Sequence, residues 1–194
     1  WNKTAQGSRE VRGKKLGIIG YGNIGKQLSV LAEALGMDVY YYDVEDKLAL
    51  GNATRIQNLE DLLAISDVIT LHIDDNAANK DFIGKEELAQ MKDGAYLVNL
   101  SRGFVVDIKA LKDALESGKL AGAAVDVYPE EPRANGDYYT DLKGLDNVIL
   151  TPHVEAMKAE DLFYLIRTNV SLKESSSQRK DIGLQFQDLA SIDA

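Results

Sequence analysis

A glycine-rich segment near the start of the chain has the residue types and spacing needed to hold a diphosphate. Gly20, Gly22 and Gly25 form the pattern Gly-x-Gly-x-x-Gly directly after the apolar run 16–19. In a strand–turn–helix unit the first glycine permits a tight turn, the second lets the backbone approach a pyrophosphate, and the third lets the helix pack close to the strand. The helix that follows presents free N–H groups and a positive dipole end, so the segment predicts a phosphate-binding turn.

An acidic residue follows at the distance that a dinucleotide-binding unit requires. Asp43 ends the next apolar run after the glycine pattern. Its carboxylate can accept hydrogen bonds from both hydroxyls of an adenosine ribose, and it would repel a 2′-phosphate, so the pair of features favours NAD over NADP. The alternative is a glycine-rich turn in some other α/β domain, with a solvated acid at a strand end.

Three polar side chains further along the chain suit the oxidation of a 2-hydroxy acid. Hydride transfer of this kind requires a cation for the substrate carboxylate, a proton carrier for the hydroxyl and a carboxylate that orients the carrier. Arg102, His153 and Glu131 match these roles in turn. The alternatives are a surface ion pair for the arginine, a loop histidine beside a proline, and a charged turn at residues 130–131.

Strand and helix patterns alternate along the chain. Short apolar runs predict strands at 15–19, 39–42, 68–71, 95–100, 120–127 and 148–150. Helical spacing and capping residues predict helices at 23–35, 58–65, 84–91 and 107–118, with Asn58 and Asp107 as N-caps and Gly36 as a C-terminal cap. This alternation is typical of an α/β fold, a doubly wound parallel sheet of the Rossmann type.

The predicted topology gathers the polar residues at one edge. In an open α/β sheet, ligands bind outside the carboxyl ends of the strands, where the glycine turn, Arg102 and His153 all fall. Asp126 and His72 fall at the same edge. His72 faces the coenzyme in one interpretation and is a structural histidine in the other.

Composition excludes several classes of function. The 194 residues include no cysteine, which excludes disulfides and thiol catalysis, and a net charge of −9 disfavours nucleic acid as a partner. No apolar run is long enough to span a membrane, no residue set predicts a metal site, and we expect a cytoplasmic protein. The chain begins with Trp1 rather than Met, so we expect it to be part of something longer. We interpret residues 1–153 as one NAD-binding domain and 154–194 as a divergent tail, with a helix over 155–170 and a loop.

The chain resembles the nucleotide-binding domain of the D-isomer-specific 2-hydroxyacid dehydrogenases over residues 1 to about 153. The resemblance rests on the glycine pattern, on Asn-Leu-Ser-Arg-Gly at 99–103, on Ala-Gly-Ala-Ala-Val-Asp-Val at 121–127 and on Thr-Pro-His at 151–153. Within this family, residues 47–53 are similar to the bacterial members that act on D-3-phosphoglycerate.

The resemblance implies a role for each matched residue. Arg102 would bind the substrate carboxylate and carbonyl, and His153 would be the acid/base with Glu131 as its partner. The implied coenzyme contacts are Gly20, Gly22, Gly25, Asn23 and Ile24 at the pyrophosphate, Asp43 at the ribose, Asp126 at the nicotinamide carboxamide, and His72 and Ser101 nearby.

The resemblance also implies an activity, NAD-dependent oxidation of 3-phosphoglycerate to 3-phosphohydroxypyruvate in serine biosynthesis, by a protein that forms a homo-oligomer, here a dimer. Alternatives are another D-2-hydroxyacid dehydrogenase, such as one for lactate or glycerate, and a non-catalytic NAD-responsive module. Two positions depart from the family pattern: Glu155-Ala156 replaces a glycine pair, and Asp74 replaces a proline. The family's second domain is nearly absent, so we expect NAD binding with little or no turnover of phosphoglycerate.

Overall fold

The computed structural model describes residues 9–131 and 138–153 of the chain. Seven strands and four α-helices alternate along these residues, with short 3-10 turns at Ala77–Asn79 and Gly103–Val105. In chain order the elements are β1 Lys15–Ile19, α1 Asn23–Ala34, β2 Asp38–Tyr42, β3 Thr54–Arg55, α2 Leu59–Ile65, β4 Val68–Leu71, α3 Lys85–Gln90, β5 Ala95–Asn99, α4 Ile108–Glu116, β6 Leu120–Val125 and β7 Val148–Leu150.

The strands form one sheet in the order β3-β2-β1-β4-β5-β6-β7, and every neighbouring pair is parallel. The chain winds outward from β1 in one direction as far as β3, then returns to the other side of β1 with β4. The point where the strand order reverses therefore lies between β1 and β4, and a ligand crevice is expected at its carboxyl edge. The predicted doubly wound parallel sheet is confirmed.

Alternation along the strands divides the core between the two faces of the sheet. On one face, α1 packs over β1 and β2 and buries Ile18, Tyr21 and Tyr41. On the other face, a larger core that includes Leu62, Leu97 and Leu111 joins α2, α3 and α4 to the sheet. Burial of this apolar surface supplies the main stabilisation of the fold.

The first face is less completely covered toward β7. Tyr96 and Ile149 lie on the same side of the sheet as α1, and both remain exposed. Within the two described ranges, no helix lies over this part of the sheet. Among the described residues, helices therefore cover the α2–α4 face along the sheet and the α1 face only near β1 and β2.

The helix ends show which predicted caps form. Asp107 accepts hydrogen bonds from the N–H groups of Lys109 and Ala110, as expected of an N-cap. Asn58 occupies the N-cap position of α2, but its side chain donates to Asp61 and caps no backbone N–H, so that prediction is wrong in its chemistry. Gly36 follows α1 with φ of +82°, the left-handed conformation that ends a helix.

Several predicted boundaries are corrected. The strands predicted to reach residues 100 and 127 end at Asn99 and Val125, where each chain turns into the polar edge. The two-residue edge strand β3 was not predicted, because so short a pair carries no periodic signal. The predicted helix at 155–170 and the rest of the tail lie outside the described residues. Within residues 9–131 and 138–153, none of the helices combines the length and the apolar composition that spanning a bilayer requires.

Candidate active site and coenzyme site

The glycine turn after β1 is closed by protein at two positions and open at the third. Gly20 has φ of +91°, and a Cβ there would lie 2.4 Å from the carbonyl oxygen of His72. A Cβ on Gly25 would lie 2.4 Å from the carbonyl oxygen of Gly20, so its absence lets α1 pack on the turn. A Cβ on Gly22 would meet no atom within 4 Å. The turn therefore offers an open backbone surface, which fits a pyrophosphate.

The first turn of α1 points its amide groups at the same space. Asn23 and Ile24 are the first two residues of the helix, and both side chains are exposed. The first N–H groups of any helix lack an intrahelical acceptor, and they carry the positive end of the helix dipole. These two residues lie where a phosphate would accept hydrogen bonds, as the sequence predicts, although their contact with NAD stays a prediction.

Asp43 lies directly beside this turn, at the end of β2. Its Oδ2 accepts a hydrogen bond from the backbone N–H of Tyr21 at 2.8 Å, and its Oδ1 accepts one from the N–H of Glu45 at 2.9 Å. A carboxylate oxygen can accept two hydrogen bonds, so each oxygen retains one free position. Two free acceptor positions on a half-buried carboxylate fit the two hydroxyls of a ribose.

His153 and Glu131 form a hydrogen-bonded pair at the far end of the edge. His153 Nδ1 lies 2.7 Å from Glu131 Oε2, and Glu131 Oε1 accepts the backbone N–H of Tyr128 at 3.0 Å. The backbone N–H of His153 donates to the carbonyl oxygen of Asp126 at 2.8 Å. His153 has φ of +54°, a left-handed conformation that non-glycine residues adopt mainly where the surrounding contacts enforce it. The ring is thus oriented from its backbone and from one nitrogen.

The carboxylate of this pair is held in its charged form. Partial burial raises the pKa of Glu131. Hydrogen bonds from His153 and from the Tyr128 backbone lower the pKa, as do the charges of His153 and Arg102. These effects outweigh that of burial, so the pKa of Glu131 lies below its usual value. A carboxylate that stays ionised beside an imidazole favours the imidazolium form and fixes the ring orientation. This is the arrangement that a histidine general acid or base requires.

Arg102 is presented by a tight turn after β5. Asn99 Oδ1 accepts hydrogen bonds from the N–H and the hydroxyl of Ser101, and its Nδ2 donates to the carbonyl oxygen of Arg102 at 3.0 Å. A Cβ on Gly103 would lie 1.9 Å from the backbone carbon of Tyr128, so only glycine lets this turn approach the segment that carries Glu131. The turn therefore brings the arginine and the acid–histidine pair to one place.

The arginine side chain remains accessible from solvent. Its Nη1 donates to the carbonyl oxygen of Ser101 at 2.7 Å, and its Nε lies 3.8 Å from Asp75 Oδ2. The side chains of Arg102 and Asp75 are 45% and 69% exposed, so this ion pair contributes little energy. The surface ion pair that the sequence left open as an alternative is present, and it leaves the guanidinium available to a carboxylate ligand.

The remaining predicted coenzyme residues lie at the same edge but are already engaged with protein. Asp126 is 1% exposed and accepts the Thr151 hydroxyl at 2.5 Å. Ser101 is buried, and its hydroxyl donates a hydrogen bond to Asn99 Oδ1. His72 Nε2 lies 3.0 Å from Thr70 Oγ1, which favours its structural interpretation, and burial lowers its pKa. Their roles toward NAD stay predictions.

Two residues build the site although the sequence pattern predicts no role for them. Asn99 organises the arginine turn, and Thr151 holds the Asp126 carboxylate. Both lie inside motifs that the sequence displays, Asn-Leu-Ser-Arg-Gly and Thr-Pro-His. The available signal was an amide or hydroxyl group at the carboxyl end of a strand, because such groups often form hydrogen bonds with the backbone of the following turn.

An open parallel sheet with a glycine turn after β1 and an acid after β2 defines a dinucleotide-binding domain. The chain belongs to the D-isomer specific 2-hydroxyacid dehydrogenase family, whose NAD-binding domain matches residues 1–155.

Relatives and solved structures agree with this assignment. Over 155 residues the chain is 60% identical to D-3-phosphoglycerate dehydrogenase of Escherichia coli, an alignment that covers 79% of this chain and 38% of that protein. The enzyme of the same name from Haemophilus influenzae is 56% identical over 161 residues, which cover 82% of this chain and 39% of that one.

Among solved structures, a D-lactate dehydrogenase from Treponema pallidum superimposes with a TM-score of 0.71 at 38% identity, over 78% of this chain and 49% of that one. An NAD-complexed D-isomer specific 2-hydroxyacid dehydrogenase from Lactobacillus delbrueckii has a TM-score of 0.73 at 27% identity, over 92% of this chain and 58% of that one. The chain thus spans well under half the length of the curated relatives and about half that of these structures.

Proposed function

We propose that this chain is the NAD-binding part of an enzyme that oxidises the 2-hydroxyl of D-3-phosphoglycerate. The observation that carries the proposal is the 2.7 Å contact between His153 and Glu131 at the same sheet edge as the glycine turn. We propose residues 1–153 as the NAD-binding domain and 154–194 as a separate tail. A cytoplasmic location and a homodimer belong to the same proposal.

Each residue of the pair has a distinct task in this chemistry. In this proposal the Glu131 carboxylate accepts the Nδ1 proton of His153, and His153 Nε2 takes the proton of the substrate hydroxyl. Arg102 binds the substrate carboxylate through two parallel hydrogen bonds. NAD, when bound at the glycine turn, supplies the acceptor for the hydride. The residues of the chain therefore position the substrate and move its proton.

The identity of the substrate rests on the curated relatives. Their shared name favours D-3-phosphoglycerate, and their similarity of 56–60% exceeds that of the structures named for other hydroxy acids. D-lactate is the second candidate, because a solved structure named for it is 38% identical in sequence to the chain over the matched region. The Glu131–His153 contact favours an enzyme over a non-catalytic module, which would have no use for an oriented imidazole.

A two-stage experiment tests the proposal. NADH is first titrated into the 194-residue chain while its fluorescence is recorded, with Asp43→Asn as the variant expected to weaken binding. Turnover of NAD is then measured with D-3-phosphoglycerate, D-lactate and D-glycerate, and with His153→Asn as the inactive control.

We expect NADH binding with little or no turnover, and any turnover confined to D-3-phosphoglycerate, because the alignment covers 38% of the length of the curated relative. A chain that does not bind NADH refutes the coenzyme assignment. Faster oxidation of D-lactate than of D-3-phosphoglycerate refutes the substrate assignment.

A further inference from the structure

A single arginine on the edge strand holds the turn that carries the ribose-binding acid. Arg55 lies on β3, and its Nη2 donates to the carbonyl oxygens of Glu45 at 3.1 Å and of Asp43 at 3.5 Å. Its Nη1 lies 2.5 Å from Asp46 Oδ1. One planar guanidinium therefore contacts three positions of the four-residue turn after β2.

The same turn orients the Asp43 carboxylate. Its Oδ1 accepts the N–H of Glu45 within the turn, while its Oδ2 accepts the N–H of Tyr21 from the glycine turn. Arg55 donates to the backbone carbonyl oxygens of Asp43 and Glu45, and within the described residues it makes no hydrogen bond to the Asp43 carboxylate. Arg55 therefore contacts the backbone that carries the acid, on which the position of the carboxylate relative to the glycine turn depends.

The contribution of Arg55 to the stability of the fold does not account for its position. Its side chain is 23% exposed, whereas that of its partner Asp46 is 90% exposed, and pairs with an exposed member contribute little stability. Its Nε is buried without a hydrogen-bond partner, the one such side-chain atom found in the described residues. Burying an unpaired donor is unfavourable. Because Arg55 carries this energetic cost, we attribute its burial to a role in placing the turn 43–46.

We propose that Arg55 is a positioning residue for the coenzyme, which holds the turn 43–46 so that the Asp43 carboxylate meets the ribose hydroxyls. The inference rests on the proposed NAD site. According to this inference, Arg55 affects the affinity for NAD only through the position of Asp43. Removing the guanidinium frees the turn backbone, whereas the hydrogen bonds that are lost lie on residues 43–46 and not on the glycine turn or the His153–Glu131 pair.

The test is a double-mutant cycle read by NADH titration of the 194-residue chain. Arg55→Gln is expected to raise the dissociation constant about tenfold, within the range seen for residues in direct contact. Asp43→Asn also weakens binding. In the Asp43→Asn background, Arg55→Gln is expected to change the dissociation constant by less than twofold, because the group through which it acts has already been altered. A purely structural arginine would weaken binding by the same factor in both backgrounds.

The chain offers a matched control pair at the other edge of the sheet. Lys119 is 25% exposed and pairs with Asp93, which is 91% exposed, at 2.7 Å. Lys119 directly precedes β6, at the amino end of the strands. Lys119→Gln thus removes a comparable ion pair far from the proposed coenzyme edge, and NADH binding should stay within twofold of the parent chain.

A conservative variant keeps the inference testable if Arg55→Gln does not fold. An ammonium group at this position cannot contact all three acceptors, so Arg55→Lys should raise the dissociation constant about threefold, again only when Asp43 is intact. The inference is overturned if folded Arg55→Gln or Arg55→Lys binds NADH as the parent chain does. It is also overturned if either substitution weakens NADH binding by the same factor with and without Asp43→Asn. Failure of the parent chain to bind NADH overturns the proposed function instead, so the two failures are distinguishable.

Discussion

Glu131 joins two segments through its two carboxylate oxygens. One oxygen accepts the backbone N–H of Tyr128 and the other contacts the His153 ring. Because these contacts lower its pKa below the usual value of 4.5, the folded protein binds this proton less readily than the unfolded chain. The stability from Glu131 is therefore fully present above pH 4.5 and is lost as the pH falls through the lowered pKa.

Replacing His153 by Asn should weaken this acid-side dependence. The variant removes the side-chain hydrogen bond and the charge that lower the Glu131 pKa, so that pKa should move toward its usual value. We expect the free energy of unfolding to fall less steeply between pH 5 and pH 3 than in the parent chain, as measured by urea titrations at each pH. An unchanged slope would mean that the His153–Glu131 contact does not form in solution.

The second histidine predicts a dependence in a different pH window. Burial lowers the pKa of His72 below its usual value of 6.5, so the unfolded chain takes up the proton first as the pH falls. The stability from neutral His72 is therefore present above pH 6.5 and is lost on acidification. We expect His72→Asn to flatten the fall in unfolding free energy between pH 7 and pH 5. The sequence contains two histidines, so the same measurement on His153→Asn separates the contribution of His72 from that of His153 to the fall in unfolding free energy between pH 7 and pH 5.

At the scale of the strand–turn–helix unit, the three glycines have separable functions. Gly25→Ala places a Cβ 2.4 Å from the Gly20 carbonyl oxygen, so α1 must shift, at a cost of about 1–3 kcal/mol. Gly22→Ala meets open space and has negative φ, so the fold should tolerate it. The same added methyl group blocks the backbone surface that a pyrophosphate would approach.

These two alanine variants should therefore give opposite results. We expect Gly25→Ala to lower the midpoint of thermal unfolding and Gly22→Ala to leave it within about 2 °C of the parent chain, while NADH titration shows the larger loss of affinity for Gly22→Ala. If Gly22→Ala lowers the thermal midpoint as much as Gly25→Ala does, the open surface at Gly22 is packed in solution and cannot be the phosphate site.

The same scale shows what a sequence can and cannot predict. Strands β1, β4 and β7 were predicted with their observed bounds, because apolar runs flanked by polar residues carry a local signal. The cap at Asp107 formed, whereas the one at Asn58 did not, because the choice between a backbone N–H and a neighbouring side chain depends on local geometry that spacing does not encode. The two-residue strand β3 exists through its pairing with β2.

For the site residues, the sequence likewise predicts the chemistry but not the contacts. The types of Arg102, Glu131 and His153 indicated the chemistry, and the parallel topology indicated the edge where they meet. Their contacts depend on tertiary structure: Gly103 is needed for the approach of its turn to Tyr128, and no periodic pattern reports that distance. The position of Arg55 behind Asp43 depends likewise on the pairing of two strands.

For the whole molecule, the proposed coenzyme site predicts a coupling between binding and stability. The glycine turn, α1 and the end of β2 belong to the same packed unit as the core on the α1 face, so a ligand that binds there binds only the folded chain. A ligand at one hundred times its dissociation constant stabilises a folded protein by about 2.7 kcal/mol. For a chain of this size, that corresponds to a rise of roughly 5–10 °C in the midpoint of thermal unfolding.

This coupling should depend on Asp43 and be insensitive to the site of substrate chemistry. We expect NADH to raise the thermal midpoint of the parent chain and of His153→Asn by similar amounts, because His153 lies at the far end of the edge from the ribose acid. At the same NADH concentration the rise should be several degrees smaller for Asp43→Asn, since its affinity is lower and the stabilisation depends on the ratio of ligand to dissociation constant. A rise of equal size in Asp43→Asn would place the bound NADH somewhere other than the turn between β1 and α1.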